Sequence, residues 1–207
     1  MRNIIIGAGD FGHEIAEYIL DVQDSTGNLA GEIVFLDDKK TKSQLGEIKI
    51  ISTIDSFVPH RGDIFFIAIG DVIIREKIYK YLKEKQYKLG TLIHPTAYIS
   101  KWSKIEAGSI ICPFSTIGFK ARIGANVIIN TYSAIGHHSK VDQSTIICPH
   151  ATVAGNADIH SCCFIGSNAV VLPGKSVGAK ASVSAGSVVY KNVKPNKLAV
   201  GNPAKVN

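Results

Sequence analysis

The chain has 207 residues, of which 45% are apolar and 19% charged, a composition typical of a globular protein rather than a disordered one. Its apolar runs are too short to cross a bilayer and its first residues do not resemble a secretory leader, so we expect a cytoplasmic protein without membrane insertion. The net charge of +6 indicates a mildly basic surface or an attraction for polyanionic small molecules; nucleic acid is disfavoured, because the basic residues are not interleaved with aromatic ones.

The first part of the chain alternates short apolar strands with helical stretches. Strands are predicted over residues 3–6, 32–36 and 63–69, and helices over 13–22 and 75–86. The third strand is almost uniformly apolar, as expected of a strand that is buried on both faces of a parallel sheet. The pattern therefore predicts a small Rossmann-like α/β domain over residues 1–85.

A glycine-rich motif, Gly7-Ala8-Gly9-Asp10-Phe11-Gly12, follows the first strand and opens the first helix. Its spacing matches a dinucleotide fingerprint, and Asp37 follows the second strand. Because three or four strands are too few for a complete dinucleotide domain, we expect a nucleotide diphosphate at the helix N-terminus, with Asp37 or Asp38 bonding its ribose or base. A tight turn that binds nothing is the alternative.

A repeat of six residues occupies most of the second part of the chain. Ile or Val recurs at every sixth position, and the residue four positions later is nearly always small. Neither a helix nor a flat strand has this period, whereas a parallel β-helix does. The repeat positions are Ile93, Ile99, Ile105, Ile111, Ile117, Ile123, Ile129, Ile135, Val141, Ile147, Val153, Ile159, Ile165, Val171, Val177, Val183 and Val189.

We therefore predict a β-helix over residues 86–194, with about five to six coils of 18 residues and the branched side chains pointing inward. Residues 195–207 break the repeat and are expected to cap the last coil. Glycines that directly follow a repeat residue are expected to supply backbone freedom at the corners. They are Gly118, Gly124, Gly136, Gly166 and Gly178.

His137 follows the repeat residue Ile135 by two positions, so its side chain should project outward near a corner. An exposed imidazole there is suited to take a proton from an amine or a hydroxyl that attacks a thioester. An ordinary surface histidine is the alternative. The four cysteines lack the spacing of a zinc or redox motif, and we interpret them as reduced, small core residues.

The segment from Ile128 to His138, Ile-Ile-Asn-Thr-Tyr-Ser-Ala-Ile-Gly-His-His, resembles a motif of bacterial nucleotide-sugar acetyltransferases of the sialic acid O-acetyltransferase type. In that hexapeptide-repeat family, which includes the bacillosamine-pathway N-acetyltransferases, the segment ends in His-Asp or His-Glu. The resemblance extends to the glycine motif, to residues 35–38 and 65–70, to the repeats and to residues 201–205. It implies a left-handed β-helix, a homotrimer, and acetyl-CoA as acetyl donor, without a metal.

The resemblance also implies site residues. His137 falls on the general base, with His138 beside it, and Asn130 falls near the sugar. The nucleotide-sugar contacts fall on Gly9, Asp10, Phe11, Asp37, Asp38 and Gly70. The acetyl-CoA site falls on Ile146, Ser167 and Ala185.

Three departures from the family bear on the chemistry. His138 replaces the usual acidic residue after the base, and Ile146 stands where the family often has a histidine, which leaves His150 as a possible substitute. Asp10-Phe11-Gly12 replaces the usual Gly-His pairing, so the nucleotide stays open.

We predict N-acetylation of a nucleotide-linked amino sugar, such as a 4-amino-4,6-dideoxy sugar, in surface glycan biosynthesis, because an amine depends less than a hydroxyl on a strong base. The first alternative is O-acetylation of a sialic acid or another sugar. The second is a trimeric β-helix that is non-catalytic or binds a metal through His137, His138 and His150.

Overall fold

The computed structural model describes residues 1–39 and 47–207. These residues form two compact units, Met1–Pro95 and Thr96–Asn207. Within the described residues, no helix combines the length and the apolar character needed to cross a membrane.

The first unit is a four-stranded parallel sheet with two helices. Its sheet has the order β3-β2-β1-β4, and β1, β2 and β4 are almost completely buried. Both predicted helices and the three predicted strands are confirmed, whereas β3 was not predicted because three residues show no periodicity. The elements are β1 (Arg2–Ile6), α1 (Asp10–Thr26), β2 (Glu32–Leu36), β3 (Ile50–Ser52), β4 (Ile64–Ile67), α2 (Val72–Glu84) and β5 (Leu92–Ile93).

An ion pair holds the start of β1 to the residue before β4. Arg2 donates from Nε and Nη2 to the two carboxylate oxygens of Asp63, over 3.1 and 2.6 Å. Burial by itself raises the pKa of Asp63, but the hydrogen bonds from Arg2 and from a backbone N–H, together with the Arg2 charge, outweigh it and hold the pKa below its ordinary value. The pair therefore stabilises the folded state while Asp63 is ionised.

The second unit is a parallel β-helix, as predicted. Every repeat residue within the unit ends a two-residue strand. The strands are β6 (Tyr98–Ile99), β7 (Lys104–Ile105), β8 (Ile110–Ile111), β9 (Thr116–Ile117), β10 (Arg122–Ile123), β11 (Ile128–Ile129), β12 (Ala134–Ile135), β13 (Lys140–Val141), β14 (Ile146–Ile147), β15 (Thr152–Val153), β16 (Asp158–Ile159), β17 (Phe164–Ile165), β18 (Val170–Val171), β19 (Ser176–Val177), β20 (Ser182–Val183), β21 (Val188–Val189), β22 (Leu198–Val200) and β23 (Lys205–Val206).

The strands form three walls in which residues 18 positions apart pair in register, except that β20 pairs with β22 at a separation of 16. Wall 1 contains β6, β9, β12, β15, β18 and β21, and wall 2 contains β7, β10, β13, β16 and β19. Wall 3 contains β8, β11, β14, β17, β20 and β22, and β23 then pairs antiparallel with β22. The chain passes from wall 1 to wall 2 to wall 3 in each coil, so the triangular coil has three kinds of corner.

The core of the β-helix consists of the branched repeat side chains, and each from Ile111 to Val189 is at most 2% exposed. The small residues at the corners also point inward. The hydroxyls of Ser109, Ser133, Ser139 and Thr145 donate to backbone carbonyls 15 residues later in the chain over 2.7–2.8 Å. Those of Ser103 and Ser115 donate to carbonyls three residues earlier. These buried polar groups are therefore hydrogen-bonded.

The corner glycines act differently from the prediction. The left-handed backbone lies two residues further along, where Asn126, His138 and other non-glycine residues have φ of 56–60°. None of the five glycines that directly follow a repeat residue has positive φ. A Cβ on any of them would lie 2.5–2.9 Å from a backbone atom of the next coil. The prediction that these glycines supply backbone freedom is therefore wrong, and their lack of a side chain instead allows the coils to stack closely.

Candidate functional site

The first unit has a crevice where the strand order of its sheet changes direction. β1 lies between β2 and β4, and ligands of open α/β sheets bind outside the carboxyl ends of the strands at such a point. The loops after β1 and β4 touch here. A Cβ on Gly7, whose φ is +102°, would lie 2.8 Å from the Ile69 side chain and 2.9 Å from the Ala68 carbonyl oxygen. A Cβ on Gly12 would overlap the carbonyl oxygen of Gly7. Glycine is therefore required at both positions.

The N-terminus of α1 opens into this crevice. Gly9 is the N-cap and no side-chain hydrogen bond caps the helix. Apart from its chain neighbours, no atom of the described residues lies within 4 Å of the place where a Cβ on Gly9 would be. Asp10 is exposed and Phe11 is half-buried in the first turn. Helix N–H groups that lack intrahelical partners can hold a phosphate, so this end of α1 has the chemistry that the glycine motif predicts.

Asp37 has a structural contact that the sequence did not reveal. One of its carboxylate oxygens accepts a hydrogen bond from the Ala8 N–H over 2.8 Å, and the other accepts one from the Lys39 N–H over 2.9 Å. Asp37 therefore ties the glycine loop to the end of β2.

The two remaining residues of this predicted site lie on loops at the same edge of the sheet. Asp38 is exposed, and its Oδ1 accepts a hydrogen bond from the Ile54 N–H over 2.9 Å. Gly70 is also exposed and has open space around its Cα, while the next residue, Asp71, caps α2. The structure thus brings Gly9, Asp37 and Gly70 to one edge of the sheet.

In the second unit, His137 projects outward at the corner between walls 1 and 2, directly after β12. Its Nδ1 lies 3.2 Å from Nδ1 of His138, so the two imidazoles share a hydrogen bond. His138 has a φ of +60°, donates its backbone N–H to the Phe119 carbonyl over 2.8 Å, and meets the edge of the Phe119 ring at 5.5 Å. The pair is thus held in position by backbone and ring contacts.

Gly155, one coil later, makes room for the His137 ring. A Cβ on Gly155 would lie 2.6 Å from both Cε1 and Nε2 of His137. The imidazole therefore rests over the bare Cα of Gly155, and any larger residue would displace it. Gly155 has no local sequence pattern that marks it as functional, but its separation from His137 by one coil of 18 residues is a signal that identifies it.

The predicted acetyl-CoA residues lie elsewhere on the coil. Ser167 and Ala185 occupy the corner between walls 3 and 1 in consecutive coils, where the Gly186 N–H donates to the Ser167 carbonyl over 2.8 Å. Ile146 lies on wall 3 and is 4% exposed. Asn130 is at the same kind of corner, and its Oδ1 accepts a hydrogen bond from the Thr131 N–H. Within one chain these residues and His137 occupy different corners.

His150 is also separate from the His137–His138 pair. Its ring stacks face to face on Tyr132 at 5.0 Å, and Tyr132 stacks on Phe114 at 5.0 Å. Among the residues that the structure describes, no group of three or more His, Cys, Asp or Glu side chains is placed to hold a metal ion.

Both units have counterparts in proteins of known structure. A family model described as the PglD N-terminal domain matches residues 3–82. The acetyltransferase domain of PglB from Neisseria gonorrhoeae FA1090, solved with acetyl coenzyme A, is 30% identical, with a TM-score of 0.90 over 99% of this chain and 98% of its own. The chain belongs to the bacterial nucleotide-sugar acetyltransferases of the hexapeptide-repeat type. This result confirms the family that the sequence motifs predict.

Two further members of this structural group match the whole chain at 26% identity. One is a histidine-to-asparagine variant of perosamine N-acetyltransferase from Caulobacter crescentus in complex with CoA and GDP-perosamine, with a TM-score of 0.89 and 97% of that chain covered. The other is WeeI from Acinetobacter baumannii AYE, with a TM-score of 0.90 and 100% covered.

The chain also matches short segments of two curated relatives. Proteins of Schizosaccharomyces pombe and Staphylococcus aureus (strain COL), whose names provisionally call them acetyltransferases, are 50% identical over 42 residues and 49% identical over 43 residues. The match covers 20–21% of this chain, which spans only about a fifth of the length of these relatives. They name a transferase class and no substrate.

Proposed function

We propose that the protein is an acetyl-CoA-dependent N-acetyltransferase that acts on a nucleotide-linked amino sugar, such as a 4-amino-4,6-dideoxy sugar, with His137 as general base. The observation that carries the proposal is the exposed His137 imidazole, paired with His138 through Nδ1 and seated over Gly155. The full-length likeness to an N-acetyltransferase that binds CoA and GDP-perosamine supports the choice of both reactants.

The histidine pair explains how the base works without the usual carboxylate. A neutral imidazole carries one N–H and one free lone pair. When His137 donates its Nδ1–H to Nδ1 of His138, its Nε2 keeps the lone pair and is free to accept a proton. His138 thus fixes the required tautomer, as a carboxylate would, although a neutral imidazole adds no negative charge.

The reaction then follows from this tautomer. The sugar amine attacks the thioester carbonyl of acetyl-CoA and gives a proton to Nε2 of His137 as the C–N bond forms. The tetrahedral intermediate collapses to the amide, and the C–S bond breaks. Coenzyme A leaves as the thiolate and takes the proton from the His137 imidazolium, which gives the free thiol and restores the neutral base. Holding the two reactants together supplies a further part of the acceleration.

The first unit is proposed to bind the nucleotide sugar. The open N-terminus of α1 accepts the diphosphate, and Asp37 or Asp38 bonds the ribose or the base. Gly9 and Gly70 leave space for the ligand, because, within the part of the chain that the structure describes, only their chain neighbours lie within 4 Å of their Cβ positions.

A complete site is proposed to need more than one chain. His137 and the predicted acetyl-CoA residues Ser167 and Ala185 lie at different corners of the coil. A threefold arrangement of β-helices brings one corner of a subunit to another corner of its neighbour. We therefore propose a homotrimer that works in the cytoplasm. Light scattering should give three times the chain mass, and a fully active monomer would contradict this assembly.

A substrate screen tests the proposed activity. Purified protein is incubated with acetyl-CoA and a panel of nucleotide-linked amino sugars, each matched with the corresponding hydroxy sugar, and free thiol is read with a chromogenic disulfide. The four cysteines of the protein are at most 9% exposed, so their background should be low. We expect thiol release with amino sugars alone, and a product that carries one acetyl group. Release only with hydroxy sugars would favour O-acetylation, and no release with either would contradict the proposal.

A further inference from the structure

The outer face of wall 2 carries a column of three cations. Lys104, Arg122 and Lys140 are the outward residues of β7, β10 and β13, and they are direct neighbours in register. Adjacent strands lie about 4.8 Å apart, and like charges directly opposite each other repel. The column of positive charges ends at Lys140, because Asp158 and Ser176 occupy the same position in the next two coils.

The described carboxylates make one ion pair with this column. Nζ of Lys140 lies 3.8 Å from a carboxylate oxygen of Asp158, a weak and exposed contact. Among the described residues, no carboxylate oxygen lies within 4.0 Å of the charged nitrogens of Lys104, Lys120 or Arg122. The part of wall 2 formed by β7, β10 and β13 therefore carries a concentrated positive charge that a bound anion would stabilise.

The cations line a cavity of about 490 Å³ that reaches His138, the neighbour of His137. Its lining consists of Trp102, Lys104, Lys120, Arg122, His138 and Lys140, and it includes no carboxylate. A second cavity of about 400 Å³ continues along wall 2 and shares Lys104, Arg122 and Lys140 with the first, but its lining also includes the carboxylates of Glu106 and Asp142. The first cavity, hereafter the cationic groove, is therefore the part of this surface without a carboxylate, and it lies beside His138.

An aromatic side chain lines the same groove. Trp102 is 59% exposed, and the Lys101 ammonium lies over the Trp102 ring, 5.2 Å from the ring centre. An exposed indole offers a flat face on which a nucleotide base can stack. The combination of several cations with one exposed aromatic ring fits a ligand that carries both phosphates and a base.

We propose that the cationic groove binds the phosphate groups of a nucleotide reactant beside His137 and His138, with Trp102 against its base. Both reactants of the proposed function have this chemistry, because coenzyme A and a nucleotide sugar each contain a nucleoside and a diphosphate. The inference rests on the proposed function for the identity of the ligand alone. Its test is a binding measurement and needs no turnover.

The experiment measures the affinity of the full-length protein for CoA, for dephospho-CoA and for GDP by calorimetry. The variants are Lys104→Ala, Arg122→Ala and Trp102→Ala, with Lys191→Ala as a matched control, because Lys191 is an exposed lysine of the same unit outside both cavities. All four side chains are exposed, so circular dichroism should show an unchanged fold.

We expect Lys104→Ala and Arg122→Ala each to weaken binding of one ligand by about tenfold, because each removes a charge-assisted contact to phosphate. Arg122→Lys should recover part of the loss, and added salt should weaken the wild type more than the variants. A loss confined to CoA assigns the groove to the donor, and dephospho-CoA shows whether the 3′-phosphate is held. A loss confined to GDP assigns the groove to the sugar nucleotide and would contradict the proposed binding of its diphosphate at the N-terminus of α1. Wild-type affinity of Lys104→Ala and Arg122→Ala for all three ligands would overturn the proposal. Loss of activity in a His137 variant with these affinities intact would leave it standing.

Discussion

Replacement of Gly155 by alanine should slow turnover while leaving the β-helix folded. The new Cβ would lie 2.6 Å from Cε1 and Nε2 of His137, whereas an ordinary contact between such atoms is about 3.5–4.0 Å. The imidazole must therefore retreat by about 1 Å, and a displacement of that size can reduce catalysis by about a hundredfold. Gly155 does not have positive φ, so alanine fits its backbone, and its carbonyl keeps the hydrogen bond from the Gly174 N–H.

The assay compares kcat, KM and melting temperature of the wild type, Gly155→Ala and the control Gly174→Ala. Gly174 has φ of +66° and open space around its Cα, so its alanine variant should lose about 1 kcal/mol of stability and keep its turnover. Gly155→Ala should lose kcat, and it should cause no further loss in a His137→Ala background, because it acts through that ring. Wild-type kcat in Gly155→Ala, or an additional loss in the double variant, would refute the reasoning.

Three further results are expected. His138→Ala should reduce turnover by less than removal of His137 does. His138→Glu should match or exceed the turnover of the wild type, because a carboxylate accepts the Nδ1–H of His137 and adds negative charge. If steady-state kinetics show that His138→Ala is the more damaging variant, the general base is His138 and not His137. Asp37→Ala should weaken binding of the nucleotide sugar by about tenfold and leave acetyl-CoA binding unchanged in calorimetry, and equal loss for both ligands would instead indicate misfolding. Asp63→Asn should lose about 2–3 kcal/mol at neutral pH, because it breaks the pair with Arg2. The folded-state pKa of Asp63 is lowered, so this stabilisation is present above the unfolded pKa of about 3.9 and is lost as pH falls through the folded value. Urea titrations of the wild type and the variant should therefore give free energies of unfolding that converge in acid. A difference that stays constant with pH would contradict this.

The β-helix was predictable because its period is a property of the backbone. One buried branched residue per six residues leaves a regular signal, and each of these residues from Ile99 to Val189 ends a strand. The corners were predicted less well. A corner glycine can be needed either for a positive φ angle or for close stacking of neighbouring coils. Which of the two applies depends on the distance between coils, which the sequence does not contain. Gly136 illustrates this, since a Cβ there would lie 2.5 Å from the backbone nitrogen of Gly155.

The candidate site was predictable in its residues and not in their arrangement. The sequence places His137 outward at a corner, and the structure agrees. The contact between Asp37 and the Ala8 N–H depends on the conformations of two loops 29 residues apart, which no local pattern encodes. The cationic column also needs the register of the coils, because Lys104 and Arg122 become neighbours only when residues 18 apart are paired.

The turnover of His137→Ala, with saturating acetyl-CoA and an amino sugar nucleotide that the wild type accepts, tests the central claim most directly. The side chain projects outward, so its removal should leave circular dichroism and melting temperature unchanged. With His137 as general base, kcat should fall by about a hundredfold or more, while the affinities for both reactants stay within about twofold. A folded His137→Ala variant with wild-type kcat would contradict the account.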